Sequence, residues 1–185
     1  YVENIKIGSN VRIGPYVSIV CHDKNSSLEI GDNTVIKQFA VLMTYPGGRI
    51  SLGKNCSVNP FCVLYGHGGL DIGNDVRIAT HTVFIPANHN FEKADETITQ
   101  QGLKKKGIKI GNNIWFGAGC IILDGVHIDD NSVIGAGSSG KSPRYEAWRM
   151  KLSGRTARGR LPGAYGWRAP RCNPVTAPSR TICTP

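Results

Sequence analysis

Imidazoles and thiols are the side chains in this sequence that could do chemistry near neutral pH. The chain has five histidines, and an imidazole can accept the proton of a poor nucleophile such as an alcohol. One of them, His89, stands in the stretch IPANHNFEKAD (residues 85–95), where a regular sequence gives way to a polar, unpatterned one. The six cysteines, at 21, 56, 62, 120, 172 and 183, form no CxxC and no zinc-ligand spacing, so they read as buried reduced thiols. Lys104, Lys105 and Lys106 follow the polar stretch. They could reach phosphates or an anionic glycan, or be a solvated charge run. GAGSSGKS at 135–142 satisfies the phosphate-cradling pattern G-x-x-x-x-G-K-[ST], but Pro143 follows at once. A helix whose N-terminus could hold phosphate should begin there, so nucleotide triphosphate binding is not expected.

The elements that must position these residues repeat every six residues. Large apolar residues fall at Ile7, Ile13, Ile19; Ile30, Ile36, Leu42; Leu52, Val58, Leu64; Ile72, Ile78, Phe84; Ile110, Phe116, Ile122; and Ile128, Ile134. Glycine often follows, and a small or β-branched residue, such as Thr34, Ala40, Cys56, Cys62 or Cys120, comes four positions after the large one. Six residues make one short strand and a turn, so three hexads predict one triangular coil of a parallel β-helix. The large residue is expected inside and the glycine at the corner, easing the turn. Between coils the step lengthens to 11, 10, 8 and 26 residues, each time after a third hexad. These insertions must stack on one corner, the face where repeat proteins collect binding residues. The longest forms a loop over residues 85–109.

Composition bounds the function. At 185 residues with 23 glycines the chain fits one turn-rich β domain, and no apolar run approaches the roughly 18 residues of a membrane span. The net charge of +9 is confined to one end: residues 1–138 carry 12 basic and 12 acidic groups, and residues 139–185 carry 10 basic groups against Glu146. A neutral body without aromatic and basic interleaving does not predict nucleic-acid binding.

The runs IGNDVRIATHTVFIPANHNF and QQGLKKKGIKIGNNIWFGAGCIILDGVHIDDNSVIGAGS resemble the hexapeptide-repeat acyltransferases, close to the maltose and galactoside type of sugar O-acetyltransferase. With the hexads from Ile7 onward, the resemblance covers about three quarters of the chain. It implies an all-β, left-handed parallel β-helix over residues 1–138, a cytoplasmic homotrimer with sites between subunits, and acetyl-CoA as co-substrate, with no metal. His89 falls where the family keeps its catalytic histidine. Asn59 matches an asparagine that contacts the acceptor, and His67 takes the place of an acidic acceptor contact, which leaves the acceptor open. Trp115, Ala118, Ala136 and Lys141 match positions lining the acetyl-CoA groove, although Trp115 could equally cover a subunit seam. Related β-helix carbonic anhydrases hold zinc on three histidines, two of them separated by four intervening residues in an H-x4-H spacing, which this sequence lacks. His81 and His127 sit on hexad turns and read as surface residues.

The implied activity is acetyl transfer from acetyl-CoA to a hydroxyl of a sugar or polysaccharide precursor. Two alternatives stand beside it, N-acetylation of an amino-sugar nucleotide and a non-catalytic β-helix scaffold. Residues 139–185 read as an irregular basic tail. After GAGS the family continues with Val-Val-Thr-Lys and a Gly-Asn-Pro-Ala segment, whereas this chain runs Ser139-Gly140-Lys141-Ser142-Pro143 and loses all periodicity from Arg149. A shifted reading frame explains both changes. Translation of the gene in its other two frames is expected to restore those two segments; their absence from both would mean that the tail is authentic.

Overall fold

A strand of two or three residues cannot hold itself extended, so each hexad here bonds its backbone to the matching hexad of the next coil. The computed structural model describes residues 1–140 and the backbone of Trp148–Arg149. After a 3-10 turn at Val2–Asn4, the described chain winds through six coils of three short strands. Face 1 stacks Ile5–Ile7, Ser27–Ile30, Arg49–Leu52, Leu70–Ile72, Ile108–Ile110 and His127–Ile128. Face 2 stacks Arg12–Ile13, Val35–Ile36, Ser57–Val58, Arg77–Ile78, Trp115–Phe116 and Ser132–Ile134, with Trp148–Arg149 antiparallel beside the last. Face 3 stacks Ser18–Val20, Val41–Met43, Val63–Tyr65, Val83–Ile85, Ile121–Leu123 and Ser139–Gly140. All pairings between successive coils are parallel, and the fold is the expected parallel β-helix. Among the described residues no helix is long and apolar enough to cross a membrane.

The register follows the hexads residue for residue. Ile7 lies beside Ile30, Ile30 beside Leu52, Leu52 beside Ile72 and Ile72 beside Ile110 on face 1. Ile78 lies beside Phe116 on face 2, and Phe84 beside Ile122 on face 3. From Ile30 onward these side chains form one buried column, with the small residues Thr34, Ala40, Cys56, Cys62, Val76, Thr82 and Cys120 buried between them, whereas Ile7 and Ile13 of the first coil are exposed, contrary to the expectation that the large residue lies inside. Face 1 buries a second aliphatic residue per strand, at Leu28, Ile50, Leu70, Ile108 and Val126, two positions before the large one. Phe84 and Phe116 fill coils 4 and 5 and meet edge to face, with ring centroids 5.3 Å apart. Such a pair adds about 0.5–1.5 kcal/mol beyond its burial.

The corners work differently from the expectation. The glycine after the large residue does not turn the chain. Its hydrogen side faces the next coil, and a Cβ on Gly53 would stand 2.4 Å from the Gly73 carbonyl oxygen. Small size is needed there because adjacent coils touch through backbone. Left-handed backbone falls two residues later. At the corner between faces 1 and 2 it is carried by Asn10, Asn33, Asn55, Asp75, Asn113 and Asn131, with φ from 54° to 59°, and Asn and Asp tolerate that region best after glycine. At the corner between faces 2 and 3 it is carried by Tyr16, Phe39, Phe61 and His81, then by Gly119 and Gly137. The four rings stack on one another at 5.1 Å spacing. Bulky residues at positive φ cost about 1–3 kcal/mol each, and the stack offsets part of that cost.

Ser139–Gly140 continues face 3 by pairing with Ile121 and Ile122. Lys141 and the rest of the basic tail lie outside the described residues, apart from the backbone of Trp148–Arg149.

Gly53→Ala is expected to lower the unfolding free energy by about 1–3 kcal/mol, the usual penalty for overpacking a closed contact. Urea denaturation of the full chain measures it, and an unchanged midpoint would show that the coils are not in backbone contact at this glycine.

Candidate functional site

All four insertions emerge at the corner between faces 3 and 1. Thr44 and its neighbours leave coil 2, Gly66–Gly69 leaves coil 3, and the long loop leaves coil 4 after Ile85. Counted from Val20, Met43 and Tyr65, which share one register on face 3, the second residue onward is His22, Tyr45 and His67 in turn. Their rings form a column, with His22 and Tyr45 5.6 Å apart and Tyr45 and His67 stacked at 3.6 Å. Tyr65 meets His67 edge-on at 5.3 Å. The equivalent position one coil higher is the buried Ala87, and the column ends there.

The long loop is folded rather than irregular. Asn88–His89 pairs antiparallel with Leu103–Lys104, His89 opposite Leu103. Beyond this two-stranded base, Gln101 ties the loop together. Its Nε2 donates to the carbonyls of Lys93 and Glu96, at 2.8 and 2.9 Å, and its Oε1 accepts from the Lys93 amide. Asn90 Nδ2 donates to the Gln101 carbonyl at 2.8 Å. Asp124 Oδ1 accepts the amides of Lys106 and Gly107 at 2.8 Å and fixes the returning end. Lys104 is paired with Glu92. His89 is exposed on the first base strand, and among the described residues its ring has no hydrogen-bond partner. Its backbone is held by the hairpin while its imidazole faces outward, an arrangement suited to meeting a substrate.

The residues expected in the site fall into two groups. His67 and His89 share the 3–1 corner, His67 where the chain leaves coil 3 and His89 where it leaves coil 4. Ala118 and Ala136 lie at the other edge of face 3, in coils 5 and 6, and Trp115 precedes Ala118 on face 2 of coil 5; all three are exposed, and the Gly137 amide donates to the Ala118 carbonyl. Asn59 lies at that same edge in coil 3, and its Nδ2 donates to the Ile78 carbonyl at 2.8 Å, joining two coils. Face 3 separates the two groups within one chain. A groove of about 430 Å³ lined by Arg12, Asn33, Asn55, Asp75 and Arg77 contains none of them.

The buried cysteines do not join the site. Desolvation pushes the Cys62 thiol up to about 11 and raises Cys56 and Cys120 as well, so they remain unreactive thiols. Cys172 and Cys183 lie outside the described residues. His67 is shifted the other way: burial, then the positive charge of Lys105, hold its pKa below the usual histidine value. Among the described residues no three metal-ligating side chains converge.

Sequence reasoning missed His22, Tyr45 and Tyr65. They stand in or beside insertions of different lengths, where the six-residue count is lost. Counting on from the last residue of face 3 recovers the ring column.

Residues 107–139 match the family model of the bacterial transferase hexapeptide (six repeats). This is a hexapeptide-repeat chain. It is similar to galactoside O-acetyltransferases of Escherichia coli (strain K12), 34% identical over 113 residues, and of Lactococcus lactis subsp. lactis (strain IL1403), 32% identical over 111 residues. The matches cover 59% and 60% of this chain and 52% of each relative. The hexapeptide-repeat chain thus spans about half the length of these curated relatives. Among solved structures it is similar to AntD, an N-acyltransferase from Bacillus cereus in complex with dTDP and 3-hydroxybutyryl-CoA. The TM-score is 0.60 at 23% identity, over 72% of this chain and 71% of that one. At that identity the likeness is one of fold.

The depressed pKa leaves His67 less protonated than an ordinary histidine at the same pH. The unfolded chain binds the proton more tightly, so this contribution to stability is present above the ordinary value of 6.5 and fades as pH falls below it. NMR titration of the His67 ring is expected to give a midpoint below 6.5 that rises in Lys105→Ala. A midpoint at or above 6.5 would mean that the ring is solvated and not enclosed by Tyr45 and Tyr65.

Proposed function

We propose that this chain is an acetyl-CoA-dependent O-acetyltransferase that acts on a hydroxyl of a sugar or saccharide precursor, with His89 as general base. The observation that carries the reading is the position of His89. The largest of four insertions on one corner presents an exposed imidazole on a hydrogen-bonded hairpin, where a scaffold would need no base. The similarity to two galactoside O-acetyltransferases favours a hydroxyl over an amine as the acceptor group.

The chemistry asks little of the protein beyond this. A sugar hydroxyl is a poor nucleophile at neutral pH, and His89 takes its proton as the oxygen attacks the thioester carbonyl. The tetrahedral adduct then collapses with loss of the thiolate, to which the imidazolium returns the proton. No acyl-enzyme is formed, and no nucleophilic side chain is required. The exposed strip of Trp115, Ala118 and Ala136 suits the extended pantetheine arm of acetyl-CoA. Gly119 and Gly137 beside it have no atom within 4 Å of where a Cβ would stand, so a chain can lie flat against the coil backbone there. Within one chain this strip is separated from His89 by face 3. In a homotrimer the 3–1 corner of one subunit would meet the strip of its neighbour, and a complete site would form between them. Asn59 and His67 are then the acceptor contacts.

His89→Ala is expected to reduce acetyl-CoA-dependent acetylation of a sugar panel by about 10²–10⁴-fold, the usual contribution of a general base, with the circular dichroism of the β-helix retained. Thiol release from acetyl-CoA measures the rate, and amine-bearing sugars in the same panel show whether nitrogen is the better acceptor. Undiminished turnover in the variant would overturn the mechanism.

A further inference from the structure

We propose that the 3–1 corner selects an acceptor bearing an anionic oxygen group, a carboxylate or a phosphate, held by His67 and Lys105 against the rings of Tyr45 and Tyr65. The inference rests on the acetyltransferase reading above and names the acceptor class for that same site.

The hydrogen-bonding capacity of the corner points this way. His67 is wedged between Tyr45, face to face at 3.6 Å, and Tyr65, edge-on at 5.3 Å. Its Nδ1 is buried and has no hydrogen-bond partner. A stranded buried N–H is rarer in folded proteins than an unmet acceptor, so Nδ1 carries the lone pair. The proton then sits on Nε2, the nitrogen turned toward the surface. A neutral ring is the state that burial and the adjacent ammonium favour. His67 therefore offers a donor outward.

Lys105 stands next to it. Its Cβ is 3.1 Å from the place a Cβ of Gly68 would occupy, and its charge acts on His67. Glycine at 68 lets the loop strand lie this close, because a side chain there would also meet the Pro86 carbonyl at 2.2 Å. Several neighbouring charges are already engaged. Lys104 pairs with Glu92, and Arg49 pairs with Asp71 at 2.7 Å. Asp124 accepts two amides, and Asp23 accepts the Asn25 and Gly47 amides and the Ser26 hydroxyl. No carboxylate contributes to the shift of His67, and Lys105 has no ion-pair partner among the described residues. What faces a ligand at this point is an imidazole N–H and an ammonium, both donors. A sugar hydroxyl needs acceptors as well as donors, whereas an anionic oxygen accepts only and gains the stronger, charge-assisted bonds. The half-buried rings of Tyr45 and Tyr65 add apolar surface beside these donors.

The test compares matched acceptors on the full chain: methyl glucoside, glucuronate and glucose 6-phosphate. Acetyl transfer gives kcat/KM, and calorimetric binding of the same three compounds needs no turnover. An anionic member is expected to be favoured at least about tenfold, the order of one charge-assisted hydrogen bond, with the preference falling as salt rises. Lys105→Glu is expected to abolish or reverse it, and His67→Asp to weaken it. Either order of uronate and phosphate upholds the inference and identifies which anion is read. Equal rates and affinities for the neutral and charged members would overturn it while leaving the acetyltransferase reading intact. If nothing is acetylated, that reading fails, and the calorimetric preference with its loss in Lys105→Glu decides this one separately. Absence of any binding overturns it too.

Discussion

Everything in this molecule follows from the distance between coils. Backbone hydrogen bonds between parallel strands fix the rise at about 4.8 Å, and that distance is too short for a side chain to intervene where the coils touch. The same residue type must therefore recur at each level. Ile30, Leu52, Ile72 and Ile110 are stacked in register on face 1, and a larger residue at one level would have to be balanced by a smaller one nearby. Phe84 and Phe116 show how narrow the allowance is. Two phenylalanines fit in successive coils because they lie on different faces and cross at 78°. The glycines answer to the same constraint. Their role is to let one coil's carbonyls lie against the next, and the turning is left to the residues two positions on.

A rigid rise also decides where variation can occur. Extra residues cannot enter a strand without breaking the register above and below, so they collect at a corner. Of the three corners, two are committed to left-handed backbone: one uses Asn and Asp, and the other uses a ring stack that ends in Gly119 and Gly137. Between faces 3 and 1 no non-glycine residue has positive φ among the described residues, though Gly47, Gly69, Gly107 and Gly125 do. From coil 2 on, that corner turns on glycine and is free to lengthen. Chain added there can fold on itself, as Gln101 and the Asn88–His89 hairpin show, without disturbing the core.

The fold was legible because the constraint acts on the inward residues and leaves a strict mark. Ile7 to Ile134 could be placed in coils by counting, and the insertions located by failure of the count. The corner chemistry was less legible. Glycine was read as the turning residue because it tolerates positive φ, yet Tyr16, Phe39, Phe61 and His81 adopt it with φ near 60°. Close approach of backbone, the other reason for glycine, leaves the same letter in the sequence. The column of His22, Tyr45 and His67 was hidden because spacing in the insertions carries no fixed period. Its regularity appears only when residues are counted from the end of face 3. Asn59, Trp115, Ala118 and Ala136 were placed by resemblance, and the structure puts them across face 3 from His67 and His89.

The contrast between His67 and His89 shows how one scaffold can place the same side chain in two environments. His89 lies on a hairpin outside the coil stack and is exposed. His67 lies one coil below, in the register of the ring column, where the face of Tyr45 and the edge of Tyr65 remove water from one side and Lys105 opposes positive charge. A group held neutral in this way is a poor proton shuttle and a good fixed donor. The difference comes from two residues of loop geometry, since Ala87 occupies the stacked position in coil 4 and His89 follows it on the strand that leaves the prism. Had the histidine stood at 87, it would have joined the column beneath it and lost the exposure that a proton acceptor requires.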